Sequence, residues 1–186
     1  RDLNQQLMKK PSQPIHILLT HFHFDHIQGL PFFAPMFQKG RDIHVYAHSS
    51  KKELKDILAG QQTPPYFPVP WNCIPANIHY HSISTKKSFS IGAFEVSSLE
   101  LAHPQSSYGY RVSTGKKVYT HMTDVELLDL SSENAKIYTK FMDGSNFVVA
   151  DSQYDLDEVD ARRGWGHSSI FSFIDLLAES SVKNLI

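Results

Sequence analysis

Three imidazoles and one carboxylate fall within the six residues His21-Phe22-His23-Phe24-Asp25-His26. Imidazole nitrogen and carboxylate oxygen are the ligands that Zn²⁺ and similar borderline ions prefer. In extended chain His21 and His23, two positions apart, point the same way and can hold one ion. Asp25 and His26 fall where the chain turns into its next element and can hold a second. Any one of these residues alone would read as part of a surface turn. Four at this spacing, directly after the apolar run Ile15-His16-Ile17-Leu18-Leu19, argue for a metal site at the end of a buried strand.

Other chemically capable residues stand at the ends of expected strands. His103 precedes Pro104, which holds it extended so that its ring can project inward. Asp124 closes the run Tyr119-Thr120-His121-Met122-Thr123-Asp124, and a carboxylate there can bridge two ions. His167 lies just before the last expected helix, whose free N–H groups and dipole favour an anion, and its imidazole can give a proton to a leaving alkoxide. The alternative for His167 is a helix-start residue bonded to backbone. Asp151, after Phe147-Val148-Val149-Ala150, is placed in sequence to orient that ring.

The positioning elements can be read from periodicity and breakers. Residues 1–10 read as a short amphipathic helix with Leu3 and Leu7 on one side, stopped by Pro11 and Pro14. Strands are expected at Ile15–Leu19 and Ile43–Tyr46, with a short helix or turn at 27–33. A helix is expected from Lys51 to Leu58, ended by Gly60. Residues 61–75 carry five prolines and read as a loop anchored by Tyr66, Phe67 and Trp71, with a lid over a site as the alternative. Successive strands follow from Asn77 to His121, with a hairpin turn at Ser113-Thr114-Gly115-Lys116. Ser131 or Ser132 caps a helix running to Met142, and Phe147–Ala150 is a buried strand. Ser168 or Ser169 caps a last helix with Ile170, Phe173, Ile174 and Leu177 on its apolar face. Asn184-Leu185-Ile186 begins a further strand. No internal repeat or dividing linker is visible, so residues 1–186 read as one domain.

The 186 residues suffice for a sizeable core, and 41% hydrophobic with 20% charged residues is ordinary for a globular protein. No apolar stretch is long enough to span a bilayer. A net charge of −1 argues against a uniformly basic nucleic-acid binder. The single cysteine, Cys73, rules out an internal disulfide framework and suits a reducing compartment, the cytoplasm.

The cluster at 21–26 resembles the signature of the metallo-β-lactamase superfamily, and the order first cluster, then His103, then Asp124 is also similar to that family's. The resemblance implies an α/β fold, the αββα sandwich, with His21, His23 and His103 holding one ion, Asp25 and His26 the other, and Asp124 bridging. It implies two divalent cations, with Zn²⁺ first and Mn²⁺ or Fe also suited to the ligand set. The family's last histidine would lie beyond Ile186, and Arg1-Asp2-Leu3 resembles a segment that follows the family's first strands. The chain therefore reads as an internal fragment, open to an attached regulatory domain, with a naturally shortened, metal-deficient form as the alternative.

Within the superfamily, His23 argues against flavodiiron relatives, which usually carry an acidic residue there. His103-Pro104-Gln105-Ser106-Ser107-Tyr108-Gly109-Tyr110-Arg111 and Gly166-His167-Ser168-Ser169 resemble stretches of ribonuclease Z-like phosphodiesterases. That likeness implies a hydrolase in which a hydroxide shared by two ions attacks phosphorus. Asp25 would orient it and His167, held by Asp151, would assist the leaving group. A small or cyclic phosphodiester is favoured over tRNA, because no basic run with interleaved aromatics is present. The competing expectations are a carboxylic ester, thioester or lactam hydrolase, and a metal-poor sensor or scaffold without catalysis.

Overall fold

The computed structural model describes residues 2–178 and 180–186. The chain divides into two compact units, residues 1–83 and 84–186, each with its own sheet and core.

In the first unit, β1 (Ile15–Leu18), β2 (Asp42–Ala47) and β3 (Asn77–Ser82) form a parallel sheet in that order. Parallel neighbours need crossovers. Helix α1 (Asp2–Met8) precedes β1 and ends before Pro11, while Arg1, the expected start of that helix, lies outside the described residues. Between β1 and β2 run the one-turn α2 (Phe24–Ile27) and two 3₁₀ turns. Between β2 and β3 runs α3 (Lys51–Gly60), whose N-cap Ser50 accepts a hydrogen bond from the Glu53 N–H at 3.1 Å. Strand alternation sends Ile15, Ile43, Val45 and Ala47 into one core with Leu54 and Leu58 of α3. Ile43, Val45, Leu54 and Leu58 are 0% exposed, and burial of each contributes roughly 1.5–3 kcal/mol. The intervening positions place His16, His44 and His79 in register, with stacked rings at 4.6 and 4.5 Å.

In the second unit, β4 (Phe89–Ile91), β5 (Phe94–Leu101), β6 (Ser107–Ser113), β7 (Val118–Met122) and β8 (Phe147–Ala150) form a five-stranded sheet. Pairing is antiparallel through β7, and β8 joins parallel after helix α4 (Ser132–Met142). Ser131 is the cap of α4, and Ser169 is the cap of α6 (Ile170–Leu177). A short helix, α5 (Leu156–Val159), opened by a capping box at Asp155 and Glu158, was not expected. Leu101, Met122, Met142, Val148 and Phe173 form the core, and Leu185 bridges to Val148 alongside β8.

Three local expectations fail, at Gly60, Ile174 and Tyr66. Gly60 belongs to α3 and does not stop it: the chain leaves through a right-handed Gln61, and the breakers that follow are Pro64 and Pro65. Ile174 is 50% exposed, because the inward stripe of α6 runs through Phe173, Leu176 and Leu177. Residues 61–75 are a loop apart from a 3₁₀ turn at Trp71–Cys73. Trp71 anchors it by donating its indole N–H to the Tyr80 hydroxyl at 2.6 Å, and Tyr66 is exposed.

Candidate metal-binding and catalytic residues

Strand β1 stops at Leu18, and Leu19, Thr20 and His21 follow it into the buried interior. Helix α2 begins three residues later, anchored by buried Ile27, so the chain reverses within His21–His26. This turn gathers the three imidazoles. The Thr20 hydroxyl lies 3.0 Å from His21 Nδ1, and His21 Nε2 lies 2.9 Å from His23 Nδ1. The His26 ring centroid is 4.3 Å from that of His21. Two imidazole nitrogens at that separation must share either a proton or a cation. Asp25 stands at the exposed edge, with Oδ2 3.3 Å from His26 Nε2.

In the second unit, His103 leaves the end of β5 in a turn in which Gln105 and Ser106, after Pro104, have left-handed backbone (φ 63° and 65°). Pro104 disfavours helical backbone at His103, and the Tyr138 hydroxyl accepts the Ala102 N–H at 2.9 Å, which holds the chain one residue before His103. Burial raises the Tyr138 phenol above its ordinary pKa, so it stays a neutral hydroxyl. Asp124 follows β7 at φ 58°, a strained position for a residue with a side chain, and is buried. His103, Asp124 and His167 each offer a ligand atom, and the three atoms lie within 4.8 Å of one another.

Asp151, 4% exposed at the end of β8, organises this group. Its Oδ2 accepts the Asp124 N–H at 2.9 Å and lies 2.8 Å from His167 Nδ1, while Oδ1 accepts the Ser168 N–H at 2.9 Å. The carboxylate therefore fixes the His167 ring and the strained backbone of Asp124 together. Ser168, also buried, donates its hydroxyl to the Val125 carbonyl at 2.6 Å and accepts the Leu127 N–H at 2.9 Å. This lashes the segment after Asp124 to the segment after His167. The Tyr154 ring stands nearly perpendicular to that of His167, with 5.8 Å between the ring centroids.

The expected site residues thus fall into two groups: His21, His23, Asp25 and His26 in one unit, His103, Asp124, Asp151 and His167 in the other. The donor set suits Zn²⁺, Mn²⁺ or Fe, with imidazole nitrogens backed by hydrogen-bonding partners as metal ligands usually are. Sequence reasoning missed Thr20, Ser168 and Glu126. Glu126 accepts the N–H groups of Gly164 and Gly166 at 2.8 and 2.9 Å. Nothing in the sequence around Glu126 marks it; only the turn it holds, Gly164-Trp165-Gly166 immediately before His167, is visible.

Residues 2–186 match the family model described as Beta-lactamase superfamily domain. Ribonuclease Z of Staphylococcus carnosus is 28% identical over 148 residues, 75% of this chain and 44% of its own length. Ribonuclease Z of Prochlorococcus marinus is 26% identical over 186 residues, 96% of this chain and 58% of its own. The chain spans about half the length of these curated relatives. Among solved structures, human tRNase Z, short form, aligns with a TM-score of 0.69 at 19% identity, over 97% of this chain and 75% of that one. A diphosphatase from the PhnP family aligns at 0.65 with 17% identity, over 99% and 64%. The metallo-β-lactamase fold protein YhfI from Bacillus subtilis aligns at 0.63 with 15% identity, over 92% and 62%. These likenesses show the fold expected from the sequence, the metallo-β-lactamase type.

Proposed function

Because the chain belongs to the β-lactamase superfamily, we propose that it is a metal-dependent hydrolase, and specifically a phosphodiesterase. Its site would take two divalent cations, Zn²⁺ foremost, with His21, His23 and His103 assigned to one, Asp25 and His26 to the other, and Asp124 to both. When bound, such ions supply positive charge against the phosphate oxygens and lower the pKa of water to about 7.

The protein's own groups do the rest. Asp151 accepts the Nδ1 proton of His167, so it is the doubly protonated imidazolium that gives its Nε2 proton to the leaving alkoxide, ending as the neutral ring with Nδ1–H still held by Asp151. Asp25, the most exposed of the first group, orients the attacking water. The Asp151–His167 pair beside His103 and Asp124 is the observation that carries this reading, since it joins a proton donor to a ligand group. The relatives named ribonuclease Z, tRNase Z and diphosphatase support phosphate ester chemistry. The net charge of −1 favours a small or cyclic phosphodiester over tRNA. With Cys73 its single cysteine, and exposed, we place the protein in the cytoplasm. Among the described residues, no helix is long and apolar enough to cross a membrane.

The proximity of His167 to His103 and Asp124 also favours a second reading, in which His167 is itself a ligand. Replacing His167 with Ala in the full-length protein separates the two. As a proton donor, its loss leaves metal content intact and slows turnover of bis-p-nitrophenyl phosphate by about 10²–10⁴. As a ligand, its loss removes metal. Parallel assays with a thioester and a cephalosporin test for a carboxyl-transfer enzyme instead, and a full-length protein without stoichiometric metal would be a scaffold.

A further inference from the structure

We propose that Glu126 is a positioning residue that sets the orientation and tautomer of His103 through the Gly164-Trp165-Gly166 turn; the proposal rests on the reading of His103 as a metal ligand. One carboxylate grips the turn at both ends, Oε1 accepting the Gly164 N–H at 2.8 Å and Oε2 the Gly166 N–H at 2.9 Å. Both glycines have left-handed backbone, φ 83° and 85°, which glycine adopts at no steric cost. Held this way, the Gly166 carbonyl stands 2.8 Å from His103 Nδ1. A carbonyl only accepts, so Nδ1 carries the proton, and in the neutral ring the lone pair is left on Nε2.

The fit leaves no slack. A Cβ on Gly166 would stand 2.2 Å from His103 Nδ1 and 2.3 Å from Pro104 Cδ, both atoms of rings that cannot fold away. Glu126 grips the other side of His103 as well, because its own N–H donates to the Ala102 carbonyl at 2.7 Å. The residue before His103 and the turn that faces its Nδ1 are therefore both tied to Glu126, which lies 40 positions in sequence from Gly166. A ligand imidazole whose second nitrogen is engaged in this way has its tautomer and its approach direction settled before any ion arrives.

The test uses full-length protein labelled with ¹⁵N-histidine and freed of metal, read by long-range ¹H–¹⁵N correlation, which distinguishes Nδ1–H from Nε2–H rings. His103 is expected as the Nδ1–H tautomer in the wild type. In Glu126→Ala it becomes a mixture of the two, and Zn²⁺ affinity falls about 10–100-fold. Glu126→Gln, which keeps one acceptor oxygen, guards against a misfolded Ala variant and should lie between. An unchanged tautomer in either folded variant, or a changed tautomer with Zn²⁺ affinity intact, overturns the proposal. If His103→Ala binds Zn²⁺ like the wild type, it is the ligand reading that fails, and the tautomer result in metal-free protein then judges the clamp alone.

Discussion

Replacing Asp151 is the most informative perturbation, because one buried carboxylate serves His167, Asp124 and Ser168 at once. In Asp151→Asn one oxygen survives, but the other becomes an NH₂ that faces donors. If the amide oxygen stays on the Asp124 N–H and His167, the Ser168 N–H loses its acceptor; if it turns, the other two do. An unsatisfied buried donor costs about 1–3 kcal/mol, and a hydrogen bond to a charged group is worth about 1.5–3. A loss of roughly 2–4 kcal/mol follows, which at a urea slope of about 2 kcal/mol/M moves the unfolding midpoint down by about 1–2 M. The chemistry should suffer twice. His167 loses its orienting acceptor, and Asp124, held at φ 58° by the same carboxylate, is freed to relax. The double variant Asp151→Asn/His167→Ala separates these routes. If Asp151 acted only through His167, the double variant would match His167→Ala in metal affinity. The geometry instead requires a further loss, measured by chelator competition. A double variant that binds metal as His167→Ala does, with an unchanged urea midpoint, would refute the reasoning.

Gly166→Ala should cost about 1–2 kcal/mol from left-handed backbone alone and also push His103 aside, so metal affinity falls further than stability does; isothermal titration beside thermal melting checks this. Acid should destabilise the first unit's histidine face. Burial, then the charges of His16, His79 and His81, hold His44 below its ordinary pKa; burial does the same for His16, and burial with Lys51 and the neighbouring imidazoles for His81. A depressed imidazole leaves the unfolded chain binding more protons than the folded one below about pH 6.5. Stability is thus full above that pH and drains as pH falls towards the folded values. Urea midpoints at pH 7.5 and 5.5 should differ, and less so in His44→Asn; equal pH slopes for the two proteins would contradict the assignment. A chelator should abolish phosphodiester hydrolysis, with Zn²⁺ restoring it; activity that survives complete metal removal would exclude the proposed chemistry.

What could be read from the residues alone follows how locally each feature is encoded. The His21–His26 cluster, the Ser131 cap and the 113–116 turn are each specified within a few positions, and the element types followed. The fold type was legible because several such signals recur in one order. The pairing of Asp151 with His167 could be anticipated from a strand end and a helix start, but its grip on Asp124 could not, since that contact spans 27 positions. Glu126 carried no signal of its own: its role exists only because β5 and the turn before α6 meet around it. Ile174 misled because the positions 170, 173, 174 and 177 make as good an apolar stripe as 173, 176 and 177, and only packing chooses between them.

The proposal that this protein is a metal-dependent phosphodiesterase is tested most directly by elemental analysis. The full-length wild type, His21→Ala and Asp124→Ala would be measured side by side, each assayed on bis-p-nitrophenyl phosphate. Two ions per chain in the wild type, with metal and turnover lost together in both variants, is the expected result. A variant that keeps its full metal complement and its activity would contradict it.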